Sequence, residues 1–227
     1  MFGNKKKKET VQEETVKKEQ NNFLRKKTIK EIIAPAGIDA SNIDHLEIIS
    51  NAKRYARSFF VSQLPRMCTF PELFRDLYLF GDINTSIYIN PIKEERSQNE
   101  LNRTINELET ERIVAMDKGN INRESTITQK RLEAERLRDE IAAGFNKLYE
   151  ASVVSTLFAY NLEDLDRDTK MLISEMSKTL VNIKTAWGMQ EEAFQSNLPL
   201  LDDKIKKTHT FDRNSMGTVF PFTTSEV

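Results

Sequence analysis

From position 93 to 148 the chain runs for more than fifty residues without a proline, and twenty-three of those positions are Asp, Glu, Lys or Arg. Charge at that density excludes burial on all sides. Two apolar stripes run through the segment, one through Leu101, Ile105, Leu108 and the Ile113/Met116 pair, the other through Ala134, Leu137, Ile141, Phe145 and Leu148. Steps of mostly three and four residues are helical spacing. Between the stripes lies Asp117-Lys118-Gly119-Asn120, turn chemistry with a glycine suited to a left-handed helix end. The segment therefore predicts two helices folded back as an antiparallel hairpin. Arms of about 24 residues would reach roughly 35 Å.

The flanks of this hairpin repeat one small pattern. In the first copy, residues 53–62 set Tyr55, Phe59 and Val61 on one face and Ala56 and Phe60 on the other, a strand covered on both sides. Thr69-Phe70-Pro71-Glu72 supplies a helix start, Leu73, Phe74, Leu77 and Tyr78 a short amphipathic helix, and Gly81-Asp82 a break. Thr85, Ile87 and Ile89 alternating with Ser86, Tyr88 and Asn90 then predict an edge strand. In the second copy, residues 151–160 are apolar on both faces, and Asn161 with Asp164 caps a helix whose stripe runs through Leu165, Leu172, Met176, Leu180 and Ile183. A last strand is expected at 184–189, around Trp187.

Two β-α-β units predict an α+β, ferredoxin-like split βαβ sheet with the hairpin inserted between its second and third strands. Upstream, 29–33 leads to a turn at Pro35-Ala36-Gly37, and 45–50 is strand-like. The expected organisation is a basic arm at 1–26, an α+β domain at 27–190 carrying the hairpin 93–148, and a connector at 191–227.

At 227 residues and 38% apolar composition the chain can support a sizeable core. Its net charge of -1 conceals an asymmetry, because residues 1–30 carry ten basic and four acidic side chains, leaving the remainder at -7. Two roles stay open for the arm: a solvated tail, or a contact of Lys5, Lys6, Lys7 and Lys8 with anionic lipid or nucleic acid. No apolar run approaches the roughly 20 residues a membrane span needs, and no h-region follows the N-terminal lysines. One cysteine, Cys68, excludes an internal disulfide and agrees with a reducing cytoplasm.

Signals of chemistry are weak. None of the seven glycines begins a Gly-x-x-x-x-Gly-Lys-Ser/Thr phosphate loop. Asp164, Asp166, Asp168 and Glu175 approach the spacing of a calcium loop, but Thr169 stands where that loop needs glycine, and an acidic helix N-terminus accounts for them. His45 and His209 lack neighbours at ligand spacing, and Cys68 lacks a nucleophile's surroundings. The adjacent carboxylates Glu191-Glu192 and Asp202-Asp203 point apart on a helix. Phe59, Phe60 and Tyr88 could stack bases on a sheet face, yet Arg57 is the one cation interleaved with them, so core packing is favoured. No catalytic, cofactor or metal residue is expected.

Gln190, then Ala193-Phe194 and Leu198-Pro199, followed by Met216-Gly217-Thr218-Val219-Phe220-Pro221-Phe222, resemble the N-terminal part of the conjugative-transfer ATPases of type IV secretion systems, the VirB/TraC/TrbE type, particularly members from Gram-positive mobile elements. Looser agreement extends through 33–38, 55–65 and 87–91. The resemblance implies a non-catalytic assembly domain that contacts other subunits and membrane components of the channel from the cytoplasmic side. In the family the phosphate loop follows the Pro-Phe segment. The chain is thus expected to be an excised or truncated portion, with ATP and magnesium belonging to a full-length relative. The candidate protein interface is Leu101, Ile105, Leu108, Leu137 and Ile141 on the hairpin. The competing expectation is a free-standing hairpin adaptor or nucleic-acid-binding module.

Overall fold

The computed structural model describes residues 35–49, 53–65, 68 and 71–220. The basic arm, the 29–33 stretch, the helix-start residues Thr69 and Phe70, and Pro221 and Phe222 lie outside the described residues.

Two strands carry the molecule. β3 (Arg54–Gln63) and β5 (Leu148–Ala159) pair antiparallel, Tyr55 opposite Ala159 through Phe60 opposite Val154. Both are apolar on two faces because both faces are covered, which makes them central. On the far side of β5 runs β4 (Ile83–Pro91), half-exposed along much of its length, as its one-sided pattern predicts. On the far side of β3 lie β2 (Leu46–Ile49), which in turn pairs β1 (Gly37–Asp39), and further along β6 (Asn182–Thr185). β7 (Thr208–Asp212) continues the line of β3 beside the first half of β5. All seven strands form one antiparallel sheet, and β6, β3, β5 and β4 follow one another across it.

Six helices complete the described body: α1 (Arg75–Tyr78), α2 (Glu94–Asp117), α3 (Ile121–Ala142), α4 (Leu162–Lys178), α5 (Gln190–Ser196) and α6 (Arg213–Val219). The main core joins Phe59, Val61, Val153 and Leu157 of the sheet to Leu77 of α1, Leu165, Leu172 and Met176 of α4, and Met216 and Val219 of α6. The opposite face is thinner, with Val154 packed against Ala186, Ala193 of α5 and Ile205.

Several expectations need correction. The α4 stripe ends at Met176: the helix stops at Lys178, Leu180 turns outward with a φ of 58°, and Ile183 belongs to β6. The last strand of the second unit starts at Asn182 and ends at Thr185. Trp187 is exposed in the turn that follows, where Gly188 adopts a φ of 68°. At Pro35-Ala36-Gly37 the chain bends at Ala36 and leads directly into β1, with the Ala36 N–H bonded to the Ile49 carbonyl. The segment expected to be a connector from 191 onward is, through Val219, built into the body, since β7 fills a place in the sheet and α6 caps the core.

The hairpin stands between β4 and β5, turning at Gly119 with a φ of 64°. Its seam differs from the expected one. Ile105 and Ala115 of α2 and Ile127 and Ile141 of α3 are buried, whereas Ile113 and Met116 are exposed. Phe145 lies beyond the end of α3 and is exposed, and Leu148 is the first residue of β5.

Candidate functional site

Gln190, Ala193 and Phe194, three of the residues that carry the resemblance, form a structural lock. β2 pairs with Arg54 to Ala56 and β6 with Phe59 onward, so Ser58 falls in a gap on that edge of β3. Gln190, at the start of α5, fills the gap with its side chain. Its Oε1 accepts the Ser58 N–H at 2.8 Å and its Nε2 donates to the Ser58 carbonyl at 3.3 Å and the Ala186 carbonyl at 3.1 Å. A primary amide is the side chain that can both donate and accept as a peptide does. One turn on, Ala193 is fully buried beneath α5. Phe194 meets Phe158 edge to face at 6.4 Å. Leu198 and Pro199 follow on the exposed loop.

On the main core face, Arg57 is buried within β3 and bonded through all three guanidinium nitrogens. Its Nη2 donates to Asp44 Oδ2 at 2.7 Å, its Nε to the Asp44 carbonyl at 3.0 Å, and its Nη1 to Asp166 Oδ1 at 2.8 Å and Thr169 Oγ1 at 3.1 Å. The His45 ring holds the other Asp44 oxygen at 2.8 Å. Burial opposes ionisation of Asp44, but the bond from His45 and the Arg57 charge outweigh it and hold the carboxyl below its ordinary range. Asp166, one of the calcium-spaced carboxylates, is thus the ion partner of an arginine. This cluster ties the segment before β2 to the first turns of α4. No local pattern in the sequence marks this cluster, although a charge at the centre of a strand apolar on both faces is a signal that partners must exist.

The root of the hairpin borders a cleft of about 670 Å³, lined by Cys68, Glu100, Leu101, Glu133, Arg136 and Asp212 among others. Its polar groups are occupied by folding. Asp212 caps α6, accepting the Ser215 N–H at 3.1 Å and the Asn214 N–H at 3.3 Å. Asn146 Nδ2 donates to Glu140 Oε2 at 3.0 Å while its side-chain Oδ1 accepts the Lys147 and Arg213 N–H groups. Burial would raise the Asp212 carboxyl, yet the Ser215, Asn146 and Asn214 bonds hold it below its ordinary range. Glu140 is lowered as well, by hydrogen bonds from Asn146 and Arg136. Burial and the nearby Asp212 charge push the Cys68 thiol up, away from the thiolate a nucleophile needs. His209 reaches across to the Val61 carbonyl with Nε2 at 3.0 Å, far from His45 in the fold as in the sequence. Among the described residues, no three His, Cys, Asp or Glu side chains converge as a metal site requires.

What remains is the arm. Leu101 and Leu137 pack with Ile92, Ile141 and Leu148 at its root, Ile105 is buried, and Leu108 is half-buried. The five candidate interface residues therefore hold the hairpin to itself and to the sheet. Ion pairs add to the seam, Arg131 with Glu109 and Arg112 with Glu124, each at 3.5 Å. Toward the turn the arm exposes Ile113, Val114, Met116 and Ile121, the last two 60% and 76% accessible.

The sequence matches no protein-family model and no curated protein. No helix among the described residues is long and apolar enough to cross a membrane.

Proposed function

We propose that the chain is a non-catalytic assembly domain of a conjugative-transfer ATPase of type IV secretion, working at the inner face of the cell membrane through the tip of its helical hairpin. The strand order β6, β3, β5, β4 with the hairpin between β4 and β5 agrees with a ferredoxin-like split βαβ sheet carrying an insertion. The observation that carries the interaction reading is the apolar tip. Ile113, Val114, Met116 and Ile121 are exposed near the turn of an arm whose α2 alone spans 24 residues, about 36 Å. A solvated strut needs apolar residues in its seam and none on its outer surface at the tip. A cluster there suits the anchor of a protein interface. ATP and magnesium are assigned to the motor portion of a full-length relative, and other subunits and membrane components of the channel are the partners.

Transfer of a marked plasmid or mobile element carrying this gene tests the reading. A Met116→Ser, Ile121→Ser double variant is expected to fold normally and to lower transfer by at least about tenfold, the effect of losing roughly 1.4 kcal/mol of contact. Undiminished transfer would overturn the docking role. Magnesium-dependent ATP turnover by the purified chain would contradict the non-catalytic assignment. Steeply salt-dependent DNA binding would favour a nucleic-acid module instead.

A further inference from the structure

Strand β4 is a border of the sheet, and among the described residues no strand pairs with its outer edge. Two bonds fix which backbone groups that edge presents. The Phe158 N–H donates to the Asp82 carbonyl and the Ile92 N–H to the Leu148 carbonyl, bracketing β4 in one unbroken register. In an antiparallel ladder alternate residues bond the same neighbour. The peptide groups of Asn84, Ser86, Tyr88 and Asn90 therefore face β5, and those of Ile83, Thr85, Ile87 and Ile89 face away.

Free edges are ordinarily guarded by charge, proline or a bulge. Ile83–Pro91 contains no Asp, Glu, Lys or Arg, in a chain that is 30% charged, and its register is unbroken until Pro91. Over the face of the same strand sits a second unguarded feature. The loop after α5 is tied across β4, with the Ser86 hydroxyl on Asn197 Oδ1 at 2.7 Å and the Tyr88 hydroxyl on the Ser196 carbonyl and, at 3.2 Å, the Asp202 carbonyl. From it project Leu200 and Leu201. Leu201 is 92% exposed and held at a φ of 57°, a conformation that a branched side chain rarely adopts.

We propose that β4 is a self-association edge, occupied by β4 of a second copy of this chain running antiparallel, with the Leu200–Leu201 loops packing over the junction. Self-pairing is favoured over capture of an unrelated peptide because the strand complements itself. A two-fold axis at Ile87 sets Ile87 against Ile87, Thr85 against Ile89 and Ser86 against Tyr88, so no like charges meet. Every outward amide from Thr85 to Ile89 then finds a carbonyl. Pro91, which has no N–H to give, falls where the ladder ends. The proposal stands on the strand edge alone and is independent of any role in conjugation.

Sedimentation velocity on the purified chain from about 1 to 200 µM, a range that brackets micromolar association, tests it together with hydrogen exchange. The expected result is a monomer–dimer equilibrium in which the Thr85, Ile87 and Ile89 amides gain protection as the dimer fills. Ile89→Pro removes an outward donor and leaves the bonds to β5 in place. Leu201→Asp alters a fully exposed loop. Each is expected to raise the dimer dissociation constant at least tenfold with the thermal midpoint of the monomer unchanged, while Met116→Ser at the hairpin tip dimerises like the parent. A monomer throughout the range overturns the proposal. So does a dimer whose affinity is untouched by Ile89→Pro and Leu201→Asp, or one in which those three amides stay unprotected.

Discussion

The Gln190 side chain stands where a strand is missing, its amide bonded to both the N–H and the carbonyl of Ser58 in the gap between β2 and β6. Ser58 and Gln190 are both buried, so water is poorly placed to replace either bond. The same contact anchors α5, and through Ala193 the whole thin face of the sheet. The Ser58 carbonyl also accepts the Ala186 N–H at 2.9 Å, so Gln190 is explained chiefly by the Ser58 N–H, which would otherwise go unpaired.

Gln190→Met keeps the length of the side chain and removes its polar atoms. Leaving the Ser58 N–H unsatisfied should cost about 2 kcal/mol of stability. Urea unfolding with an unchanged m-value is the measurement, and Gln190→Asn, too short to span the gap, should cost about as much. An unaffected urea midpoint would show that the gap is filled by solvent at no cost.

Acid should weaken the fold through Asp44 and Asp212. Both carboxyls titrate below their ordinary value of 3.8 in the folded chain, Asp44 because the His45 bond and Arg57 charge outweigh burial, Asp212 because its capping bonds do. The unfolded chain then takes up these protons first, so their stabilisation is fully present above about pH 5 and is lost as pH falls through the folded values. Urea midpoints should be flat with respect to these two groups from pH 7 to about 5 and fall below about 4. Asp212→Asn is expected to start less stable at pH 7 and to lose less on acidification, which pH-resolved unfolding checks directly.

Along the hairpin, seam and tip should respond oppositely to truncation. Ile127 is buried against α2 while Met116, eleven positions away across the turn, is mostly exposed. Ile127→Ala is expected to lower local stability by about 2 kcal/mol or more, a large-to-small change in a packed site. It should show as faster amide exchange near the turn of α2 and α3 with β5 unaffected, because the arm can open without the sheet. Met116→Ser should stay within about 0.5 kcal/mol of the parent.

Much of this architecture is legible in the sequence. β3 and β5 announced themselves by apolar residues on both faces, α4 by the Asn161 cap, whose Oδ1 accepts the Asp164 N–H at 2.7 Å, and the hairpin by its length and Gly119. What failed did so for identifiable reasons. Counting apolar residues put Ile113 and Met116 in the seam, but the heptad rhythm from Ile105 and Leu108 passes through Arg112 and Ala115. The small Ala115 is buried there, and Arg112 is half-buried on Glu109 and Glu124. β7 has a single buried residue, Phe211, and no alternation strong enough to mark a strand without its partner. The Arg57 cluster joins residues more than a hundred positions apart, which no local pattern encodes.

The end of α4 shows the same limit and gives the last prediction. The Val181 N–H bonds the Met176 carbonyl and the Leu180 N–H the Ser177 carbonyl, the paired bonds of a Schellman closure. That closure places Leu180 in the left-handed region, φ 58°, where glycine is the usual occupant and gives a readable stop signal. With leucine there, the apolar stripe reads on unbroken through Ile183, and the helix seems longer than it is. Leu180 is mostly exposed, so little packing compensates for its backbone strain. Leu180→Gly should therefore stabilise the chain, relief of about 1 kcal/mol at the left-handed position exceeding the entropy glycine adds to the unfolded state. A rise in thermal midpoint of a few degrees is the expected size for a domain of this length. A fall would mean that the exposed leucine contributes contacts worth more than its strain.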